Sequence, residues 1–250
     1  MFAVPTPHLL MPTAAALPRV VSIAIAAVLA AGLLRQCRKP GWLPGRLIAL
    51  SMNLSHRPLT SWALGQIETG PAFAILDVGC GGGATVARLA ALAPQGRVQG
   101  IDYSAASVAT ARHTNRRLIQ DGRVTIELGS VSALPFETAT FDLITAIETH
   151  YYWPNLESDL REMRRVLRPG GTFMLVAETY RNRRADWLYR PAMALLRATY
   201  LTPEEHRTVL RVAGFERIRV AEHASNGWIC AIGRNPSGRE APGDDHRGVA

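Results

Sequence analysis

Residues from about Ala72 to Arg234 predict an α/β fold: a doubly wound, mostly parallel seven-stranded sheet with helices on both faces and a C-terminal antiparallel hairpin strand. Three observations predict it. Short apolar runs alternate with helix-spaced segments without a long break, as in successive βα units. The glycine-rich stretch Gly79 to Gly83 follows the first apolar run directly, where such a sheet turns into a helix. Ser225-Asn226-Gly227 separates the last two β-rich runs, and Asn-Gly in that setting is a strong hairpin signal.

Each element follows from its own residues. "AILDVG" is a short apolar run ended by glycine, hence a buried strand, and "ATVARLAALA" has helical spacing with Pro94 beyond its last turn. "RVQGID" is the second strand, after which Ser104 serves as N-cap for a helix reaching about Gln120. "VTIELGS" and "FDLITAIET" are the third and fourth strands. Asn155 caps "LESDLREMRRVL", which is expected to stop at "RPGG", and "TFMLVAET" is the fifth strand. Thr202 with Pro203 starts the last helix, which Gly214 ends. "ERIRVAEHA" and "WICAIGR" complete the hairpin.

The chain divides into an apolar, Pro-rich extension (1–50), one domain (51–234) and a polar, Gly/Pro-rich tail (235–250) expected to be disordered. Within the extension, the uncharged run Val20 to Leu34 is shorter than the ~20 residues that span a bilayer. Three readings of it stay open: a membrane-associating leader through residues 17–34, an export signal, or an unstructured extension from a mis-set start ahead of Met52. Cys37, Cys80 and Cys230 have no metal-ligand spacing, so they read as reduced thiols of a cytoplasmic protein. The formal charge of +8 is nearly all arginine. Those arginines cluster on helical stretches and are not interleaved with aromatics, so they read as solvated faces and no nucleic-acid partner is expected.

Glycine at this density admits positive φ and removes side chains that would hold a ligand off the backbone. Taken alone, Gly79-x-Gly81-x-x-Ala84 suits either a dinucleotide or a nucleoside-type ligand. Asp77 shifts the balance, because a carboxylate just ahead of the turn repels a pyrophosphate and favours a cation. Asp102, at the end of the second strand, stands where a carboxylate accepts both hydroxyls of a ribose; the plain alternative is a helix-capping aspartate.

The motifs "ILDVGCGGG", "GIDYS", "LPFETATFDLITAIET" and "LRPGGTFMLVAE" resemble, in order and spacing, those of class I S-adenosylmethionine-dependent methyltransferases with their Rossmann-like fold. More narrowly they are similar to the ubiquinone/menaquinone-methyltransferase-like, small-molecule branch. The resemblance implies S-adenosyl-L-methionine as cofactor. It places Asp77, Gly79, Cys80, Gly81 and Gly83 along the methionine and ribose, Asp102 on the ribose hydroxyls and Tyr103 beside the adenine. "GSVSALPF" would close over the adenine; many relatives have an acid where Ser130 stands, so that contact falls to the Ser130 hydroxyl or the Val131 amide.

Methyl transfer is an in-line displacement, so the protein mainly aligns the reactants and excludes water. A base is needed only where the acceptor must lose a proton. No metal cluster is read here, and none is required. The fourth strand ends in "ETHYYWPN", which suits a small-molecule acceptor. Glu148 would hold the cofactor's ammonium or orient the acceptor, His150 would take a proton, and Tyr151, Tyr152 and Trp153 would offer aromatic faces, one of them packing into the core. In Tyr180 to Tyr200, a segment that often covers substrate in this family, Tyr180 and Trp187 are candidate lid residues. Arg181, Arg183 and Arg184 there would either meet an acidic acceptor or form a solvated turn. The alternatives are an NAD(P)-dependent oxidoreductase using the same glycines and a non-catalytic adenosyl-binding module.

Overall fold

The computed structural model describes residues 55–184 and 186–237. The expected 1–50 extension, Met52 and positions 238–250 of the expected tail lie outside the described residues. Among the described residues no helix is long and apolar enough to cross a membrane.

Strands β1 (Ala74–Val78), β2 (Arg97–Asp102), β3 (Val124–Leu128), β4 (Phe141–Ile147), β5 (Leu167–Ala177), β6 (Glu216–Glu222) and β7 (Ile229–Arg234) form one sheet, ordered β3-β2-β1-β4-β5-β7-β6. The first five run parallel, and β7 lies antiparallel between β5 and β6. Burial decides the hairpin's order. β7 is buried along nearly its whole length, whereas β6 is half-exposed and takes the edge. Strand order reverses at β1, which pairs with both β2 and β4, so a crevice opens beyond the carboxyl ends of those strands.

Helices α1 (Arg57–Leu64), α2 (Ala84–Leu92), α3 (Ala105–Thr114), α4 (Arg116–Gln120), α5 (Leu156–Val166), α6 (Arg190–Leu196) and α7 (Pro203–Val212) cover the sheet. Alternate strand residues face opposite sides. Leu76, Ile144 and Phe173 meet Leu160 and Met163 of α5 and Leu210 at the end of α7. On the other side Ile75, Val98 and Leu143 meet Val86 and Leu89 of α2 and Val108 of α3, while Met174 and Val176 meet Leu59 and Ala63 of α1. Helix α1 falls in residues to which sequence reading assigned no element.

The expected caps form. Ser104 Oγ accepts from Ser107 N–H, Asn155 Oδ1 accepts from Ser158 N–H at 3.1 Å, and Thr202 makes a reciprocal capping box with Glu205. Two boundaries differ from expectation. The helix after Ser104 breaks at Asn115, whose side-chain amide donates to Gly83 O and Ala111 O and holds α3 against the glycine turn. "RPGG" does more than end α5: β5 already starts at Leu167, and the register against β4 shifts there. The expected tail also begins later than residue 235, since Asn235 Nδ2 donates to Leu167 O at 2.7 Å and fastens the start of β5. Several arginines tie elements together instead of solvating a face. Arg112 donates to Ile126 O, and Arg165 donates to Leu134 O and Phe136 O, which pins the loop after β3.

Candidate active site

A cavity of about 300 Å³ opens at the reversal of strand order. Asp77, Gly79, Cys80, Gly81 and Asp102 line it on the β1–β2 side, and Tyr103, Ser130 and Val131 line it beyond β2 and β3. Glu148, Tyr152 and Trp153 close it beyond β4.

The glycine turn is held by carbonyl and carboxylate acceptors. Gly79 N–H and Cys80 N–H both donate to Ile101 O. Asp102 Oδ2 accepts from Gly81 N–H at 2.9 Å and Oδ1 accepts from Ser104 N–H at 2.8 Å. Asp102 is therefore a turn clasp and helix-start acceptor as well as a cavity wall. Gly81 has φ +51°, and a Cβ there would meet no protein atom closer than 4.0 Å, so its open face belongs to the cavity.

Gly83 differs: it has φ +81°, and a Cβ would lie 2.5 Å from Asn115 Nδ2 and 2.8 Å from Ala111 Cα. It is absent from the cavity wall, and its requirement is the close approach of α3, not of a ligand. That corrects its expected place beside the cofactor.

Asp77 is buried at the end of β1 and its Oδ1 accepts from Thr145 Oγ1 at 2.6 Å, its register partner on β4. Burial pushes its carboxyl up to about 7, the Thr145 hydrogen bond pulls the other way, and neighbouring Asp102 adds to the rise. Burial likewise raises Asp102, opposed by the Ser104 and Gly81 N–H groups. Both acids are thus short of positive charge, as a pocket for a cationic ligand requires. Burial raises the Cys80 thiol, with Asp77 and Asp102 adding, so it stands as a neutral wall group.

Beyond β4, Glu148 has φ +59° and its Oε1 accepts from Glu178 N–H and, at 3.4 Å, from Tyr151 OH. Burial pushes its carboxyl up to about 8; the Glu178 N–H opposes that shift and the Glu178 carboxylate reinforces it.

His150, expected to take a proton at the site, lies elsewhere. It is fully buried, its ring sits 4.4 Å from Tyr151 and 5.5 Å from His206 between centroids, and neither ring nitrogen has a partner. It is absent from the cavity wall, where the 3₁₀ turn His150–Tyr152 places Tyr152 instead. Tyr151 is also buried outside the wall; its hydroxyl donates to Thr179 O at 3.0 Å and braces Glu148. Two of the three aromatics are thus buried in the core, Tyr151 away from the cavity and Trp153 at its wall.

In the 180–200 segment Tyr180 is buried with its hydroxyl on Glu222, and Arg181 pairs with Glu205. Arg183 donates to the backbone at Glu178 and Asn226. Trp187 is 72% exposed, so neither candidate lid residue reaches the cavity in this conformation.

Sequence reading missed His56, Arg57 and Thr60 at the start of α1 and Thr85 and Arg88 on α2, all in the cavity wall. Arg88 Nη1 donates to Arg57 O at 2.9 Å, which joins the two helices. The signal available for α2 was position alone, one turn after the glycines; for α1 there was none.

A family model described as a methyltransferase domain matches residues 75–171, which run from β1 into the start of β5 and carry the glycine turn, Asp102 and Glu148. The chain is an S-adenosylmethionine-dependent methyltransferase, similar to the class I family. The methyltransferase is 29% identical over 198 residues to 27-O-demethylrifamycin SV methyltransferase of Amycolatopsis mediterranei, covering 73% of this chain and 69% of that one. It is 27% identical over 185 residues to (+)-O-methylkolavelool synthase of Herpetosiphon aurantiacus, covering 73% and 64% respectively. Among solved structures, a SAM dependent methyltransferase from Aquifex aeolicus superimposes with a TM-score of 0.60 at 20% identity, over 76% of this chain and 97% of that one, a likeness of fold.

The methyltransferase's cofactor is S-adenosyl-L-methionine, and the wall fits it. The open α-carbon of Gly81 leaves room against the turn, and the wall offers the two acids Asp77 and Asp102, suited to a cation, and Arg57 on α1 with Arg88 on α2, suited to a carboxylate.

Proposed function

We propose that the enzyme methylates a hydroxyl group of a small, largely apolar acceptor bound beside Glu148, Tyr152 and Trp153. One observation carries this reading: a single cavity joins the acid-lined glycine turn to an aromatic wall that offers no lysine or arginine beyond β4 among the described residues. Asp102 would hold the ribose hydroxyls with the lone pairs that Gly81 and Ser104 leave free. Asp77 would face the positive charge, Arg57 and Arg88 the carboxylate, and Tyr103 with Ser130 and Val131 the adenine. When bound, S-adenosyl-L-methionine supplies a methyl on a sulfonium sulfur, open to in-line displacement.

The chain's own residues do the rest. Tyr152 and Trp153 present ring faces to a flat acceptor and exclude water from its reacting end. Glu148 orients the hydroxyl, and Tyr151 with the Glu178 N–H fixes Glu148. The two relatives named above carry O-methyl chemistry in their names, which favours oxygen as the methylated atom. A phenol or quinol, as in the ubiquinone/menaquinone-like branch, belongs to the same acceptor class.

Calorimetric titration of the full chain with S-adenosyl-L-methionine and with NAD tests the cofactor, and methyl transfer to panels of phenols, aliphatic alcohols, amines and carboxylic acids tests the acceptor. Adenosyl binding with turnover of apolar alcohols or phenols is expected. Preference for NAD, methylation of amines alone, or adenosyl binding without any turnover overturns the reading, the last in favour of a binding module.

A further inference from the structure

We propose that His56, Glu148 and Glu178 bind one divalent metal ion at the acceptor end of the cavity. The three come from separate parts of the chain: His56 directly precedes α1, Glu148 follows β4 and Glu178 follows β5. One ligand atom from each lies within 4.8 Å of the other two. His56 Nε2 is 3.7 Å from Glu178 Oε2. Ligands sharing an ion at bond lengths of about 2.1 Å stand roughly 3–4 Å apart. The half-exposed Glu178 side chain, free to change rotamer, can close that gap.

The charge and donor count favour a cation over an internal hydrogen-bonded cluster. Among the described residues neither glutamate is paired with an arginine, and His56 is the one cationic-type partner of Glu178. Once an ion displaces the proton that burial holds on Glu148, two carboxylates and a neutral imidazole offer a charge of about −2 and three lone pairs, which match a single divalent ion. Both protein donors to Glu148 reach Oε1, which leaves Oε2 available. Imidazole with carboxylates suits Zn²⁺ or Mn²⁺ better than an all-oxygen ion such as Ca²⁺.

His56 and Glu148 face the cavity beside Tyr152 and Trp153, so an ion there has an open side toward the acceptor. This consequence rests on the proposed function: a hydroxyl coordinated to the ion would release its proton to water more readily. Metal binding itself does not depend on it.

The test uses the full chain stripped of metal, titrated with Mn²⁺ alone by electron paramagnetic resonance and with Zn²⁺ by calorimetry. One saturable site is expected, weakened at least about tenfold by Glu178→Gln and by His56→Ala, since even outer-shell changes cost a metal site that much. Glu178 is half-exposed, so its variant reports on binding even where His56→Ala disturbs α1. Asp102→Ala is the separating control: it is expected to weaken adenosyl binding and keep the metal titration. No saturable site for either ion, or the same affinity in both cluster variants, overturns the proposal. Loss of adenosyl binding in the parent chain with the metal site intact would instead overturn the proposed function.

Discussion

The carboxylate of Asp102, at the end of β2, accepts the N–H of Gly81 at 2.9 Å, so the second strand holds the shape of the turn that follows the first. One side chain thus shapes the glycine turn and lines the cavity beside it. Replacing Asp102 by Ala strands the Gly81 and Ser104 N–H groups as well as any ribose contact. S-adenosylhomocysteine affinity measured by calorimetry is expected to fall by about 1–3 kcal/mol, the cost of orphaned hydrogen-bonding groups. Unchanged affinity would remove Asp102 from the cofactor site.

Two glycines of the same turn should respond differently to alanine. Gly83→Ala combines a left-handed backbone with a Cβ 2.8 Å from Ala111 Cα, and is expected to destabilise the fold by about 3 kcal/mol in urea unfolding. Gly81→Ala meets open space, so only about 1–2 kcal/mol of backbone strain is expected, with the larger loss in cofactor affinity. Equal stability of the two variants would contradict the assignment of Gly83 to helix packing.

Asp77 gives cofactor binding a pH dependence. Its carboxyl is raised to about 7, and a cationic ligand favours the ionised form, so binding S-adenosyl-L-methionine should expel a proton near that pH. Affinity is expected to rise as pH increases through 7. Calorimetry in buffers of different ionisation enthalpy reads the proton directly. Thr145→Val removes the hydrogen bond that favours the carboxylate and should move the affinity curve to higher pH. A pH-independent affinity with no proton release would contradict the arrangement.

His150 predicts acid sensitivity of the fold. Burial and His206 hold its folded pKa well below the usual value, so the unfolded chain binds the proton first as pH falls below about 6.5. Stability is therefore lost toward acid, by up to about 1.4 kcal/mol per pH unit for one such group. Asp77 and Glu148, raised in the fold, act in the opposite direction between about 4 and 8. The difference between parent and His150→Phe isolates the histidine: from pH 7.5 to 5.5 the parent's urea midpoint should fall relative to the variant's, while methyl transfer persists. Loss of turnover with the stability intact would return His150 to the mechanism.

The pattern of apolar runs and turns made the sheet, its hairpin and three helix caps legible, because a strand's period and a cap's hydrogen bond are local properties of a few adjacent residues. That Asp77, Gly81 and Asp102 share one crevice was legible for a related reason: the ends of β1 and β2 must meet wherever a parallel sheet reverses its order. His150 was misplaced because a single turn of 3₁₀ helix decides which of three neighbouring side chains faces the cavity, and His150 packs instead against His206 on α7. The contacts of Arg112 and Arg165, read only as parts of solvated faces, were missed likewise; whether a guanidinium meets water or a distant carbonyl depends on what folds over it.

The amino-acid order by itself determined the βα alternation, the glycine turn and the acid that follows each of the first two strands. Only the tertiary structure decided that Gly83 serves Asn115 and Ala111, and that Arg57 joins the cavity wall. It also decided that His56, Glu148 and Glu178 meet. Such contacts join residues far apart in the chain, and their free energy exists only once the sheet and both helical layers have fixed the distances between them.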